Sequence, residues 1–272
     1  MGRLVGYMAN RADRLADALY QERAMVSAHP PTGPSGWGVG FYQGGEMLHK
    51  KRPRVEGEPL DWSRVVEGVR SDCVVLHLRQ PTVGDFRSEN THPFRFKSWL
   101  FAHSGTIQRF EALRPRLLES LPDFLQRSVR GATDSEVFFH LILAFLNDAG
   151  SLDSPELAEG DALSALRSAT RLVDRLAAEI GAPEAGLNCV LTNGRYMFGL
   201  RRGANMAMVE RQGIHDLRPG ISEPPGGAAS SLRYVMLVSD GYKGEVSPGY
   251  TPLDNGALVS INHDLDVAIH SL

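Results

Sequence analysis

Cysteine is nearly missing from this chain: Cys73 and Cys189 are the whole complement. Two cysteines make no disulfide framework, and both lie in apolar, strand-like runs, so they read as small buried hydrophobes. No set of four ligands has metal spacing, so neither a metal nor another cofactor is expected. No apolar run reaches the length of a membrane span. The N-terminus lacks the apolar region of a signal peptide. It starts Met-Gly, but Gly6 stands where a myristoylation signal requires Ser or Thr. Neither sign of charge prevails: 29 Lys and Arg face 32 Asp and Glu, a net charge of -3. Such a balance provides no general field for nucleic acid or an acidic membrane. The expectation is a cytoplasmic protein without nucleic-acid or membrane partners. The run Gly36-Trp37-Gly38-Val39-Gly40 is followed by no Gly-Lys-Ser/Thr and opens no helix, which excludes a phosphate loop.

What is present suits a packed core. The 272 residues are 42% hydrophobic and 22% charged, too apolar for disorder. No linker and no internal repeat divides them, so residues 1–272 read as one domain. The order is strands, two long central helices, then strands. Arg3–Met8 reads as a strand, and Ala12–Met25 as an amphipathic helix or helical loop. Gly36–Tyr42 reads as a strand whose alternate glycines allow either close packing or bare backbone beside a pocket. Gln43-Gly44-Gly45-Glu46 is a hairpin turn. The basic run His49–Arg54 reads as a solvated loop or strand end. Asp61 caps a short helix to Arg70. Phe110–Val129 is helical but interrupted at Pro115 and Pro122. Thr133 and Glu136 have capping-box spacing before an apolar helix. A second amphipathic helix covers Leu163–Ile180. Asn193-Gly194 is the strongest hairpin signal, and the Pro/Gly/Ser stretch Ser222–Ser231 is a loop.

Chemistry concentrates in Leu76–Ile107, which reads as strand, loop, strand. A loop between two buried strands holds polar groups at fixed distances. Arg79, Asn90, Thr91, His92, His103 and Ser104 gather there. Taken alone, Arg79 is a structural ion-pair partner, His92 a loop-fixing hydrogen bonder, and His77 and His103 satisfied core histidines.

Six stretches together carry more. Arg3-Leu4-Val5-Gly6-Tyr7, Gly36-Trp37-Gly38-Val39-Gly40-Phe41-Tyr42, His77-Leu78-Arg79-Gln80-Pro81, Asn90-Thr91-His92-Pro93-Phe94, Ala102-His103-Ser104-Gly105 and Thr133-Asp134-Ser135-Glu136 occur in one order. In that order and spacing the chain resembles the class II glutamine amidotransferases of the N-terminal nucleophile hydrolase superfamily. It is most similar to stand-alone bacterial members and the ergothioneine-pathway amidohydrolase. The resemblance implies an α+β fold, a four-layer α/β/β/α sandwich of two facing antiparallel sheets. It implies hydrolysis of the side-chain amide of glutamine, or of a related γ-glutamyl bond, by an N-terminal cysteine whose own α-amine is the base.

Two departures follow. Gly2 occupies the nucleophile's position and has no side chain. At the oxyanion site the family's His-Asn-Gly is His103-Ser104-Gly105, and loss of one oxyanion donor costs on the order of a hundred- to a thousand-fold in rate. Recognition residues are kept: the resemblance assigns Arg79 to a substrate α-carboxylate, Asp134 to its α-ammonium, and Gly36, Trp37, Gly38, Thr91 and His92 to the pocket around them. Two readings stay open. One is a catalytically silent protein that binds a glutamine-like or γ-glutamyl molecule, or a protein partner. The other is an active amidotransferase or γ-glutamyl hydrolase in which Gly2 replaces an original cysteine.

Overall fold

Apolar residues of both periods sort this chain into layers. In the computed structural model, described for residues 2–27, 35–56, 60–80, 83–154, 156–220, 230–239 and 246–272, short strands alternate inward and outward side chains. The Pro-rich stretch 28–34 and most of the loop predicted at Ser222–Ser231 lie outside the described residues.

The elements run β1 (Arg3–Ala9), α1 (Leu15–Gln21), α2 (Arg23–Val26), β2 (Ser35–Gln43), β3 (Glu46–Val55), α3 (Trp62–Val65), β4 (Cys73–Arg79), β5 (Phe94–Phe96) and β6 (Trp99–Thr106). Helices α4 (Phe110–Glu119), α5 (Asp123–Gln126), α6 (Asp134–Asp148) and α7 (Glu159–Glu179) come next. The chain closes with β7 (Gly186–Thr192), β8 (Tyr196–Leu200), β9 (Met206–Gln212), β10 (Arg233–Ser239), β11 (Thr251–Pro252), β12 (Ala257–Asn262) and β13 (Val267–Ser271). One sheet has the order β11-β9-β10-β1-β4-β2-β3 and the other β13-β12-β8-β7-β6-β5.

Three apolar layers hold the four structural ones together. Leu4 and Met8 of β1 and Cys73 and Val75 of β4 meet Ala102 and Val190 between the sheets. Val74, Leu76 and Leu78 point the other way, onto Leu15, Leu19 and Trp62 of the small helices. Phe101 and Leu191 pack outward on Phe138, Leu141 and Leu166 of the long helices. The period of two in β4 and β6 therefore decides which side chains reach the inter-sheet space. The expected α/β/β/α sandwich is what forms.

Local differences have local reasons. Strand β3 continues to Val55, so the basic run is a paired strand, not a loop: Lys50 and Lys51 pair with Val39 and Gly38. Pro115 lies inside α4; in the second turn its missing N–H forfeits a single hydrogen bond, and the break falls at Pro122 instead. Helix α3 stops at Val65, four residues long, though Asp61 caps it as expected through the Ser63 N–H. Strand β2 carries the anticipated irregularity, between Ser35 and Trp37.

One buried side chain connects the loop after β4 to the start of α6. Asn90 Nδ2 donates to Asp85 Oδ1 at 2.6 Å, and its Oδ1 accepts the Ala132 N–H at 2.8 Å. Beyond it, Thr133 caps α6 by accepting the Glu136 N–H, while the Glu136 carboxylate reaches back to the N–H groups of Arg130 and Gly131. The N–H groups of Arg130, Gly131, Ala132 and Glu136 are thereby satisfied by side chains of this junction. Replacing Asn90 by Ala strands the Ala132 N–H and frees the loop. We expect Asn90→Ala to lower unfolding free energy by about 2–3 kcal/mol in urea titrations. An unchanged midpoint would show that the junction is not a structural tie.

Candidate functional site

The chain ends of two inward-facing rows meet at one end of the inter-sheet space. Gly2 precedes β1, Arg79 ends β4, Ser104 lies near the end of β6, and Asp134 opens α6. These four line one small cleft with His77, His92, His103, Gly105 and Ser135. The structure therefore brings together most of the residues singled out from the sequence. It does not bring all of them: Gly36, Trp37, Gly38 and Thr91 are not among the cleft's lining residues. A Cβ on Gly38 would lie 2.0 Å from the His92 carbonyl oxygen, so that glycine serves the close approach of β2 to the His92-Pro93 segment. Trp37 packs against the outer apolar layer. Thr91 is buried with its hydroxyl donated to the Arg87 carbonyl.

The charged pair is already occupied. The Arg79 guanidinium donates to the carbonyls of Val83 at 2.8 Å, Gly84 at 3.1 Å and Asp85 at 2.7 Å. Asp134 Oδ2 accepts the Ile107 N–H at 2.8 Å, and Oδ1 accepts the Ser135 N–H at 2.9 Å. The cleft between them holds about 30 Å³, room for a water or two. Burial lowers the Arg79 pKa, and the nearby Asp85 and Asp134 oppose that shift.

Three histidines crowd the same space. His103 Nε2 lies 2.9 Å from the Gly186 carbonyl, so that nitrogen carries the proton; Nδ1 then accepts from the Ser135 hydroxyl at 2.8 Å. His103 is the satisfied core histidine the strand pattern predicts. His77 and His92 are not. Their rings lie 4.1 Å apart, and none of their four ring nitrogens has a protein partner among the described residues. His92 thus fixes its loop by packing, including an edge contact with Phe94, not by a hydrogen bond. Burial first, then His103 and Arg79, lowers the His77 pKa to about 3, and burial, then His77, pushes His92 well below its ordinary value. Both stay neutral at physiological pH.

Position 2 has no room for a side chain. A Cβ on Gly2 would lie 1.8 Å from the Leu78 carbonyl oxygen. The Ser104 hydroxyl donates to the Gly2 carbonyl at 3.2 Å. Sequence reading missed Ser135 as a partner of His103, though the residue sits in the quoted Thr133–Glu136 motif. Among the described residues no group of three or more His, Cys, Asp or Glu is placed to hold a metal ion.

Acid should expose the neutral histidines. The unfolded chain binds protons on His77 near pH 6.5, while the folded one resists down to about 3. The unfolded state then carries more protons, so stability is complete above about pH 6.5 and falls as pH drops toward 3. Urea unfolding at pH 7 and pH 5 should show this loss, and His77→Leu should shrink it. An equal loss in the variant would place the acid sensitivity elsewhere.

Comparisons with known proteins bear on the family and the fold. A family model described as glutamine amidotransferases class-II matches residues 3–218. The probable glutamine amidotransferase DUG3 of Saccharomyces cerevisiae is 29% identical over 167 residues, 58% of this chain and 46% of that protein. A gamma-glutamyl-hercynylcysteine sulfoxide hydrolase of Mycobacterium tuberculosis is 33% identical over 75 residues, 27% of this chain and 32% of that protein. The chain spans about half the length of the first curated relatives it matches. Among solved structures, a glutamine aminotransferase class-II domain protein from Silicibacter pomeroyi aligns with TM-score 0.62 and 21% identity, over 99% of this chain and 98% of the other. Glutamine phosphoribosylpyrophosphate amidotransferase from B. subtilis aligns with TM-score 0.56 and 12% identity, over 99% of this chain and 49% of the other. These structural likenesses show the fold; the family match runs from β1 through β9 and includes both long helices, and on it the chain belongs to the class II glutamine amidotransferases.

Proposed function

We propose that this chain is a catalytically silent glutamine amidotransferase-like protein whose cleft recognises a glutamine-like or γ-glutamyl molecule without cleaving it. The observation that carries the reading is at position 2. The family's attacking atom belongs there, and this chain has a glycine whose would-be Cβ lies 1.8 Å from the Leu78 carbonyl oxygen. Neither cysteine of the chain replaces it. Cys73 and Cys189 are both buried, and burial raises their thiol pKa values to about 12 and well above the ordinary range, respectively. A thiol held protonated in an apolar core is a poor nucleophile.

The oxyanion side supports the same reading. Ser104 turns its hydroxyl onto the Gly2 carbonyl, so the one side-chain donor at this position is directed at the protein. A tetrahedral intermediate would lack the amide that the family places there. An original cysteine at position 2 would need space for its side chain and an oxyanion amide nearby, and neither is present; this weighs against the active alternative.

Recognition has a definite structural condition. Arg79 and Asp134 share a cleft, as binding of an amino acid's carboxylate and ammonium requires. In the closed arrangement, three carbonyls of Val83–Asp85 take the guanidinium's donors. A ligand carboxylate would replace them with a charge-assisted fork, and residues 83–85 would have to move aside. The unpartnered ring nitrogens of His77 and His92 would then face the side-chain amide or γ-glutamyl bond. Because the open form is a minor population, the measured affinity is reduced by its fraction. The pocket needs no metal or other cofactor for this role. A balanced net charge fits a small molecule better than nucleic acid, and a cytoplasmic location agrees with that ligand class.

Three measurements test the reading. Purified wild-type protein should release no ammonia or glutamate from glutamine at an enzymatic rate; ordinary turnover would end it. Gly2→Cys, checked for folding by its thermal melt, should stay inactive and melt lower, since the new Cβ displaces the start of β1. Activity gained by that single change would favour the active alternative. Calorimetry should detect glutamine or a γ-glutamyl amino acid. Arg79→Ala should weaken it by about tenfold or more, the loss of a charged hydrogen-bond pair. Equal affinity in both proteins would separate Arg79 from ligand recognition.

A further inference from the structure

A larger cavity of about 520 Å³ opens on the far side of the His92–Phe94 segment, distinct from the cleft. It lies where the two sheets end together: β3 is the edge strand of one and β5 the edge strand of the other. Met47, His49 and Lys51 alternate along β3 and line one wall. Phe94, Arg95 and Phe96 of β5 form a second wall, and Arg130 and His140 close the groove from the helix side.

The lining is unusual for a chain of net charge -3. Only four lysines occur in the sequence, and two of them, Lys51 and Lys97, line this groove with Arg95 and Arg130. Lys97 is committed to Asp153. Lys51, Arg95 and Arg130 form no ion pair among the described residues. Lys51 is on β3, Arg95 on β5 and Arg130 in the stretch before α6, so they come from three separate parts of the chain. Two acidic residues, Glu89 and Glu136, also line the groove. The Glu136 carboxylate is already held by two main-chain N–H groups. The floor is aromatic: Phe94 is buried, and Lys51 Nζ stands 5.7 Å from its ring centroid.

We propose that the groove between β3 and β5 binds a small phosphorylated organic molecule, its phosphoryl oxygens held by Lys51, Arg95 and Arg130 and its apolar body laid on Phe94 and Phe96. Three cations from two strands and the stretch before α6 suit tetrahedral oxygens; a flat carboxylate is met best by one guanidinium fork. The cations outnumber the two carboxylates in the groove, and an anion would balance the excess. Burial lowers the Lys51 pKa to about 8, with Glu136 opposing more strongly than Arg95 adds to it, and burial, Lys51 and Arg95 lower that of His49. The site is independent of the glutamine-type cleft, and its failure would leave that reading untouched.

Lys51 supplies the assay. With its pKa near 8 it is partly unprotonated at pH 7.5, whereas an ordinary lysine is not. Pyridoxal 5′-phosphate carries a phosphoryl group, an aromatic ring and an aldehyde. Its imine with an amine, formed with loss of water and then reduced by added borohydride, marks the lysine permanently. The full chain should be labelled chiefly at Lys51 rather than at Lys50, Lys97 or Lys243, as read by peptide mass spectrometry. Pyrophosphate should protect it, and citrate should protect it less. Calorimetry with pyrophosphate should show binding that weakens about tenfold in Arg95→Ala and in Arg130→Ala; both side chains are exposed, so both variants should keep the wild-type melt. Labelling spread over all four lysines without protection overturns the proposal. So does pyrophosphate binding unchanged in both arginine variants. Protection by citrate alone would replace the phosphoryl ligand with a carboxylate and overturn it in that form.

Discussion

The cleft depends on a junction that is not itself in the cleft: the buried amide of Asn90, held between Asp85 and the Ala132 N–H. That contact decides where the loop after β4 rests. Once the loop is there, the carbonyls of Val83, Gly84 and Asp85 fall within reach of Arg79. On the other side of the same amide, Ala132 leads into Thr133 and the first turn of α6, which sets Asp134 on the Ile107 N–H. One buried side chain thereby positions both charged groups of the site. Burying a primary amide is costly unless its donors and acceptor are met; here they are met by the two segments whose separation matters.

The consequence is a site satisfied from within. Arg79 has carbonyls where a carboxylate would bind, Asp134 has main-chain N–H groups where an ammonium would bind, and Ser104 donates to Gly2. Each contact is modest in energy, and together they close the space to about 30 Å³. The exception is the His77–His92 pair. Two neutral rings with four unpartnered nitrogens are an unfavourable element of a buried interior, and burial, not a partner, keeps them uncharged. Satisfaction at the rim and want of it at the centre do not describe a core refilled with apolar side chains.

The sheets were legible in the sequence because their evidence is local. β-Branched and apolar alternation marked β1, β4, β6 and the C-terminal strands, and Asn193-Gly194 marked the β7–β8 hairpin. The cleft was legible through motif order, not through any single residue: strand-end Arg79 alone reads as an ion-pair partner. What escaped was tertiary. Strand β5 is three residues long and exists because Phe94 and Phe96 pair with Phe101 and Trp99. The glycines of β2 fitted two readings, and only the nearness of His92 decides for close packing. His77 and His103 occupy similar strand positions, yet one finds Ser135 and Gly186 and the other finds nothing; that difference is set by α6 and β7, far away in sequence.

The basic run His49–Arg54 shows why such residues resist interpretation before folding. As a string of charge it is indistinguishable from a solvated strand end. Pairing of β3 with β2 at the sheet's edge splits it by alternation, so that His49 and Lys51 face the groove with Met47. Edge strands are usually protected by charge, lysine above all, because an unpaired edge invites another strand. At Lys50 and Arg52, both exposed, that explanation suffices. Lys51 departs from it: the same rule would leave its ammonium in water, whereas it lies half-buried over Phe94, its charge weakened by burial and by Arg95. A protective charge has no need of a half-buried place over an aromatic ring, so edge protection does not by itself account for the position of Lys51.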